Sequence, residues 1–477
     1  MKRAFHTLLL AVFTALGCGA QTKEWVIEPV LFEDGTPVSE SSASPVIGQD
    51  AFRVDTTVTH LGDTIITFRH VSAFVRIQLD GLPDDAGIDR ITLVPMEGPV
   101  YEIPVTFQDP DERVVWMLKE PGRLPATAAI AQATDGRSWS VRFPSLDMEA
   151  GCAYRWTGTG LTPDAPDAGI KATPLPQTQL DIDSGEYSGI AHISRNRYAV
   201  VSDNLKGGGI VHFSIPVDSY GNVGSVRMQQ ADGTAAAAGK ARDCEGIAFV
   251  PSAGTLYVST EKQEIREYDL AGRETGKALR VPKDMDATHI EANRGFESLT
   301  FNEATGLFWT TTESPLKEDT FLPRLHRLQS FTADGNPSER FLYQADEPIR
   351  SAANTTAYVF GIPALAALDD GRLLILEREV YVPKGGFWDK LSNSFTKMDL
   401  YLVDPVHDTA GILRKTLLCS FRTGAMDLAN YEGMCLGPAL PDGQRTLVLI
   451  TDSQKGSGGL TQEYVKVILL KATQPLD

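Results

Sequence analysis

The chain has 477 residues, 42% of them hydrophobic and 22% charged, with a formal net charge of −18. This balance is that of a folded, globular chain and excludes disorder as the default state. So acidic a surface repels nucleic acid and anionic membranes at long range, so no nucleic-acid partner is expected. A divalent cation suits it, and an anionic substrate would need a bridging metal.

Residues 1–20 read as an export signal. Lys2 and Arg3 form a basic start, and Leu8 to Leu16 an apolar run too short to span a bilayer. Two processing routes fit the small residues that follow. Cleavage after Ala20 would leave Gln21 at the mature end, whereas Ala15-Leu16-Gly17-Cys18 has the form of a lipobox and would leave an acylated Cys18. The expected location is therefore periplasmic, outer-membrane lipoprotein or secreted, with membrane contact only through a lipid on Cys18. No other segment is long and apolar enough to cross a membrane as a helix. Export permits disulfides, but Cys152, Cys244, Cys419 and Cys435 show no CxxC spacing. Free thiols are expected, and no zinc site.

Residues 21–160 read as a β-sandwich. Short runs such as Ala73 to Leu79, Arg90 to Val94, Val114 to Leu118 and Ser138 to Phe143 are separated by turn residues, including Gly81-Leu82-Pro83-Asp84 and Glu120-Pro121-Gly122. Within it, Val71 to Pro95 resembles the fimbrillin-like sandwiches of Bacteroidetes surface proteins. Residues 161–176, rich in Pro, Ala and Asp, read as a linker.

From residue 177 to 477 the chain repeats itself. Tyr187-Ser188-Gly189-Ile190-Ala191 is answered by Cys244-Glu245-Gly246-Ile247-Ala248, Phe296-Glu297-Ser298-Leu299-Thr300, Ile362-Pro363-Ala364-Leu365-Ala366 and Tyr431-Glu432-Gly433-Met434-Cys435. Each is followed by a turn and an apolar run that closes on an acid: Asp203, Glu261, Glu313, Glu377 and Asp452. Ala253-Gly254, Thr305-Gly306, Asp370-Gly371 and Asp442-Gly443 supply the turn chemistry. The fold class is all-β: units of about four strands are blades of a propeller. Five blades are counted, with room for a sixth in the insertions around residues 380–415. The last unit lacks a fourth strand, and Gln177 to Ile182 is placed to supply it and close the ring.

The first strand of each propeller blade lines the axis, so equivalent positions form a ring. Glu245, Glu297 and Glu432, with Ser188 in the matching place, are expected to meet there. Carboxylates brought together cannot all stay ionised without a cation, and hard oxygen donors select Ca²⁺ or Mg²⁺. The expected metal ligands are Glu245, Glu297, Glu432, Glu377 and Asp452, with Ca²⁺ as cofactor. Ser188, Asp203, Glu261 and Glu313 are expected to bind ligand. Arg294 and Arg378 stand beside these acids and could either neutralise them as ion pairs or grip an anionic ester. His289 is the histidine best placed for acid–base work. The structural alternative is that Glu-Gly pairs simply lock blades together, with Glu accepting backbone N–H bonds and Gly permitting close approach.

The motifs Ser188-Gly189-Ile190, Asp243-Cys244-Glu245-Gly246-Ile247, Asn293-Arg294-Gly295-Phe296-Glu297-Ser298-Leu299, Leu376-Glu377-Arg378 and Asn430-Tyr431-Glu432-Gly433-Met434 resemble the family described as esterase-like activity of phytase. The resemblance covers residues 180–470 and departs from the family pattern at Ser298, where Gly commonly follows the Glu. It implies an exported phytase-like or phosphoesterase-like protein; the expected partner is a small phosphate or carboxylate ester, and the expected state is a monomer. No G-x-S-x-G elbow, P-loop, dinucleotide fingerprint or H-E-x-x-H is present. Two functions are therefore carried forward: a metal-assisted phosphoesterase, and a non-enzymatic surface-binding propeller with a structural metal.

Overall fold

A computed structural model describes residues 23–473, apart from 28–29, 37, 39–45, 48–51, 59–63, 84, 106–112, 159–167, 183–184, 203–208, 230–243, 261 and 454–461. The export signal, Cys18, Asp203, Glu261 and residues 161–167 of the expected linker lie outside the described residues. The chain forms two compact units, residues 1–163 with 409–411, and residues 164–408 with 412–477.

The first unit is the expected sandwich. One sheet joins Ser138–Phe143, Thr127–Ala133, Ile88–Pro95 and Tyr101–Pro104, and the other joins Leu31–Phe32, Cys152–Gly158, Ala73–Leu79, Val114–Lys119 and Val46–Ile47. Alternation along these strands sends every second side chain inward. Val75, Ile77 and Val115 of one sheet thereby share a core with Ile91, Leu93 and Ala131 of the other. Phe143 stacks on Trp156 within it, with centroids 4.8 Å apart.

The second unit is a five-bladed propeller. In blade 1 the strands Tyr187–Ser194, Arg197–Ser202, Gly209–Ser214 and Arg227–Gln229 pair in sequence order. Blade 2 is Cys244–Val250, Thr255–Thr260, Ile265–Asp269 and Glu274–Ala278, and blade 3 is Ser298–Asn302, Leu307–Thr311, Leu325–Thr332 and Pro337–Gln344. Blade 4 is longer, with strands Thr355–Ala367, Leu373–Pro383, Phe395–Val403 and Lys415–Gly424. Blade 5 contains Asn430–Ala439, Arg445–Asp452 and Tyr464–Ala472. The first strands of successive blades neighbour one another, and that of blade 5 returns to that of blade 1, which closes the ring.

What holds the ring is a separate apolar core in each gap between blades. Along the second strand of blade 1, Val200 packs with Val448 and Ile450 of blade 5, while Val201 packs with Ile247 and Val258 of blade 2. Blade 4 divides its second strand in the same way. Leu373 and Ile375 face Leu328 and Phe341 of blade 3, and Leu374 and Leu376 face Leu447 and Leu449 of blade 5. Burial on both faces explains why these strands read as continuous apolar runs rather than as alternating ones.

Two expectations of organisation are corrected. The fourth strand of blade 5 is mainly Ile170–Pro174, antiparallel to the chain's last strand, while only Thr178–Gln179 of the expected segment pairs there. Part of the Pro-rich stretch read as linker is therefore the closing strand; as an outermost strand it tolerates Pro174 at its end. Residues 380–415 build no sixth blade. They extend blade 4, whose second strand runs on from Arg378 to Pro383 and then enters the short helix α1, Phe387–Asn393.

Candidate functional site

The acid-bearing positions sit where the inner strands are irregular. In blades 1, 2, 4 and 5 the ladder between first and second strands shifts register, between Tyr187 and Gly189, Cys244 and Ile247, Gly361 and Ala364, and Tyr431 and Gly433. A bulge of this kind frees a residue from pairing and re-aims its side chain. Ser188, Glu245 and Glu432 occupy three of the bulges. In blade 3, Glu297 lies immediately before the ladder, which begins at the Ser298–Thr311 pair.

The glycine after the acid serves close approach. A Cβ on Gly246 would lie 2.6 Å from the Leu299 nitrogen of blade 3, and one on Gly433 would lie 3.0 Å from the Ile190 nitrogen of blade 1. Inner strands therefore come nearer to each other than any other residue type would allow.

The result is a buried carboxylate triad. Glu245, Glu297 and Glu432 each offer an oxygen, all three within 4.8 Å of one another. Their exposures are 7%, 8% and 8%. Glu313 joins them from the end of the second strand of blade 3. Arg378 donates from Nη1 to Glu432 Oε1 at 2.6 Å and to Asn430 Oδ1 at 2.9 Å, and from Nη2 to Glu313. Asn430 Nδ2 donates to the same Glu432 oxygen at 2.8 Å. Arg294 donates to the other oxygen of Glu313 at 2.6 Å.

Four carboxylates thus face two guanidinium groups, and the excess negative charge is felt. Burial, then Glu245, Glu313 and Glu432, raise the Glu297 pKa well above its ordinary value, against the pull of Arg378. Burial also raises that of Glu432, while Arg378 opposes it. Burial alone would discourage the charge on Arg378, but Glu313, Glu432 and Glu297 overturn this and hold its pKa above the usual arginine value. Its Nε, fully buried, has no hydrogen-bond partner.

These donors fit a hard divalent cation. All three triad ligands are carboxylate oxygens, and Ca²⁺–oxygen bonds of about 2.3–2.6 Å let ligand atoms within 4.8 Å of one another share one ion. A cation would also supply the positive charge whose lack pushes Glu297 toward its protonated form.

The remaining expected site residues fall elsewhere. Glu377 is not in the triad. It accepts from Tyr343 Oη at 2.5 Å, from the Asp346 amide at 2.9 Å and from Lys415 Nζ at 2.6 Å, all on the blade 3 side of its strand. The cause is strand alternation: Glu377 shares the parity of Ile375, whereas Arg378 shares that of Leu376 and reaches blade 5. Asp452 is half-buried at the end of its strand, opposite Asn430, and outside the triad. His289 lies on a loop, where its Nδ1 meets Glu318 at 2.7 Å. Ser188 is buried in blade 1, at the bulge matching Glu245. Asn430 is the contributor that sequence reasoning left out, although it opens the quoted motif two residues before Glu432. The four described cysteines are free thiols, as expected.

The family model described as Phytase-like, esterase-like activity of phytase, matches residues 182–454, more than half of the chain and all five inner strands. The chain belongs to the phytase-like family. No curated protein matches the chain. Among solved structures, the WD40 β-propeller domain of Doa1 is similar at 10% identity, with 62% of this chain and 97% of that chain covered and a TM-score of 0.30. The phytase-like propeller therefore presents its acid triad and Arg378 on the axis of a hydrolase-like scaffold.

Proposed function

We propose that this phytase-like propeller is an exported, metal-assisted phosphoesterase acting as a monomer on a small phosphate ester, with Ca²⁺ as the cation its donors favour. The observation that carries the reading is the triad itself: three buried glutamates from three blades, with ligand oxygens within 4.8 Å. A bound cation would offset phosphate charge and lower the pKa of a coordinated water.

The chain's own residues divide the remaining work. Glu245, Glu297 and Glu432 hold the cation. Arg378, buried and bonded to acids of two blades, fixes the triad and does not meet substrate. Arg294 spends one nitrogen on Glu313 and keeps its side chain 29% exposed, so it is the cation placed to receive an anionic oxygen. His289, occupied by Glu318, has no part in the reading. The test is hydrolysis of p-nitrophenyl phosphate and of phytate in calcium-replete buffer and in EDTA. Calcium-dependent turnover supports the proposal, and no turnover of either substrate ends it.

The near-complete burial of the triad favours a second reading, a structural cation in a surface-binding propeller. Calcium would then raise thermal stability, by about 2.7 kcal/mol at a hundredfold excess over Kd, with no turnover.

A further inference from the structure

We infer that Ser188 marks the open coordination place of the axial cation, where a water or a single oxygen of the substrate binds beside its hydroxyl. The inference rests on the reading of the triad as a cation site, and it says where on that site the exchangeable ligand enters.

Four blades hold one residue in the same way. Tyr187 and Ile190 pack into the gap between blades 5 and 1, and Cys244 and Ile247 into that between blades 1 and 2. Phe296 and Leu299 pack between blades 2 and 3, and Tyr431 and Met434 between blades 4 and 5. Each pair brackets the residue after its first member: Ser188, Glu245, Glu297 and Glu432. The three glutamates so bracketed converge within 4.8 Å at the axis, and Ser188 is bracketed alike. Its place in the ring is between Glu432 and Glu245. A Cβ on Gly189, the next residue, would strike the carbonyl oxygen of Glu245 itself. One on Gly433, next to Glu432, would lie 3.1 Å from the Gly189 carbonyl carbon. Blade 1 therefore touches both neighbouring acid-bearing strands at this level, yet brings no carboxylate.

What serine changes is reach and charge. Glutamate carries its oxygens farther from Cβ than serine carries Oγ. The place a fourth carboxylate oxygen would fill is left for an oxygen from outside, which Ser188 Oγ can hydrogen-bond at about 2.7–2.8 Å. Ser188 is 3% exposed, and its hydroxyl has no hydrogen-bond partner among the described residues. So deep a place admits only a water or one projecting oxygen. Arg378 is an independent sign that the axis holds a further oxygen: its Nε donor is buried among the acids without an acceptor. Charge agrees. Glu245, Glu297, Glu432 and Glu313 against Arg378 and Arg294 leave a deficit that one divalent ion balances, and a glutamate in place of Ser188 would overshoot it. Ca²⁺ takes about six to eight oxygens. Glu432 spends one of its own on Arg378 and Asn430, so the triad does not fill the shell. A cation with a place left open can exchange its ligand, as hydrolysis requires, whereas a closed site only holds the fold together.

The test counts waters on the ion and needs no turnover. Terbium replaces calcium as the probe, because its luminescence lifetimes in water and heavy water report the waters bound to it. E297Q, which should lose the tight terbium site, is the blank for surface binding. The parent should hold water on the axial ion. S188E should lose about one of these waters and bind Ca²⁺ on the order of tenfold tighter, because ligand charge sets affinity. Should S188E not fold, S188D carries the same two expectations. S188A should keep the parent's calcium affinity, while its calcium-loaded form binds inorganic phosphate on the order of tenfold more weakly, having lost a hydrogen bond to a charged oxygen. An axial terbium without water overturns the inference and leaves the cation reading standing. So does a folded S188E or S188D chain with the parent's water count and calcium affinity, or an S188A chain that binds phosphate as the parent does. A parent that binds neither terbium nor calcium overturns the cation reading, and this inference with it.

Discussion

Arg378 stands opposite Gly361 in the first ladder of blade 4, and its guanidinium bonds acids of both neighbouring blades, Glu313 of blade 3 and Glu432 of blade 5. One side chain therefore ties three blades at the axis. In the same ring position blade 4 has Ile362 and Pro363 where blades 2 and 5 carry Glu245 and Glu432. Blade 4 thus contributes a cation from its second strand instead of an acid from its first.

Removing this cation should cost more than removing any one acid. R378M leaves Glu432 buried without its guanidinium and Glu313 with Arg294 alone, and breaking a buried pair in this way costs about 3–5 kcal/mol. R378K should recover little, since one ammonium cannot serve two carboxylates in the planar geometry Arg provides. Urea denaturation of both variants against the parent measures this. A loss under 1 kcal/mol in R378M would place the residue in a solvated, weak pair and contradict its central position.

The triad also predicts a pH dependence. The Glu297 pKa is raised above its ordinary 4.5 in the folded protein, chiefly by burial. The folded state therefore holds the proton more tightly than the unfolded chain. The stability Glu297 contributes without metal should be fully present below about pH 4.5 and be lost as pH rises through the elevated folded value. Glu432, raised for the same first cause, adds the same sign. Calcium should flatten this fall by replacing the proton. In EDTA, E297Q should be at least as stable as the parent at neutral pH and should show a weaker fall, while gaining nothing from calcium. Thermal melts across pH with calcium or EDTA test it. A stability difference between parent and E297Q in EDTA that does not change with pH through this range would show that Glu297 does not carry the excess charge.

The sequence made the triad legible because the repeats place Glu245, Glu297 and Glu432 at one position of one strand type, and a propeller brings such positions to its axis. It misplaced Glu377 because the repeat shows which strand a residue is on but not which face. The run Leu373 to Leu376 is apolar on both sides, so no polar alternation marks the parity of Glu377, and a shift of one residue exchanges the two faces. Arg378, the next residue, took the axial place. The closing strand Ile170–Pro174 was hidden for another reason. Its partner is nearly three hundred residues later in the chain, and its composition is that of a linker. Lys415 acts through Glu377 and Asp346, distant in sequence, with no spacing to reveal it, and Asn430 meets the equally distant Arg378 although it also bonds Glu432 two residues on.

Glu377 now serves as a control for the axial site. It is 3% exposed and shares Lys415 with Asp346, and Tyr343 donates to it. K415M should leave that buried carboxylate without its cation and destabilise the fold by about 3–5 kcal/mol. E377Q keeps acceptor and shape and should cost less. Neither change touches the triad, so the calcium-induced rise in melting temperature should persist in E377Q, whereas E245Q and E432Q should diminish it. Differential scanning fluorimetry with and without calcium reads all three variants. A calcium response that vanishes in E377Q but survives in E245Q would move the cation from the axis to the gap between blades 3 and 4, and with it the site on which the phosphoesterase reading rests.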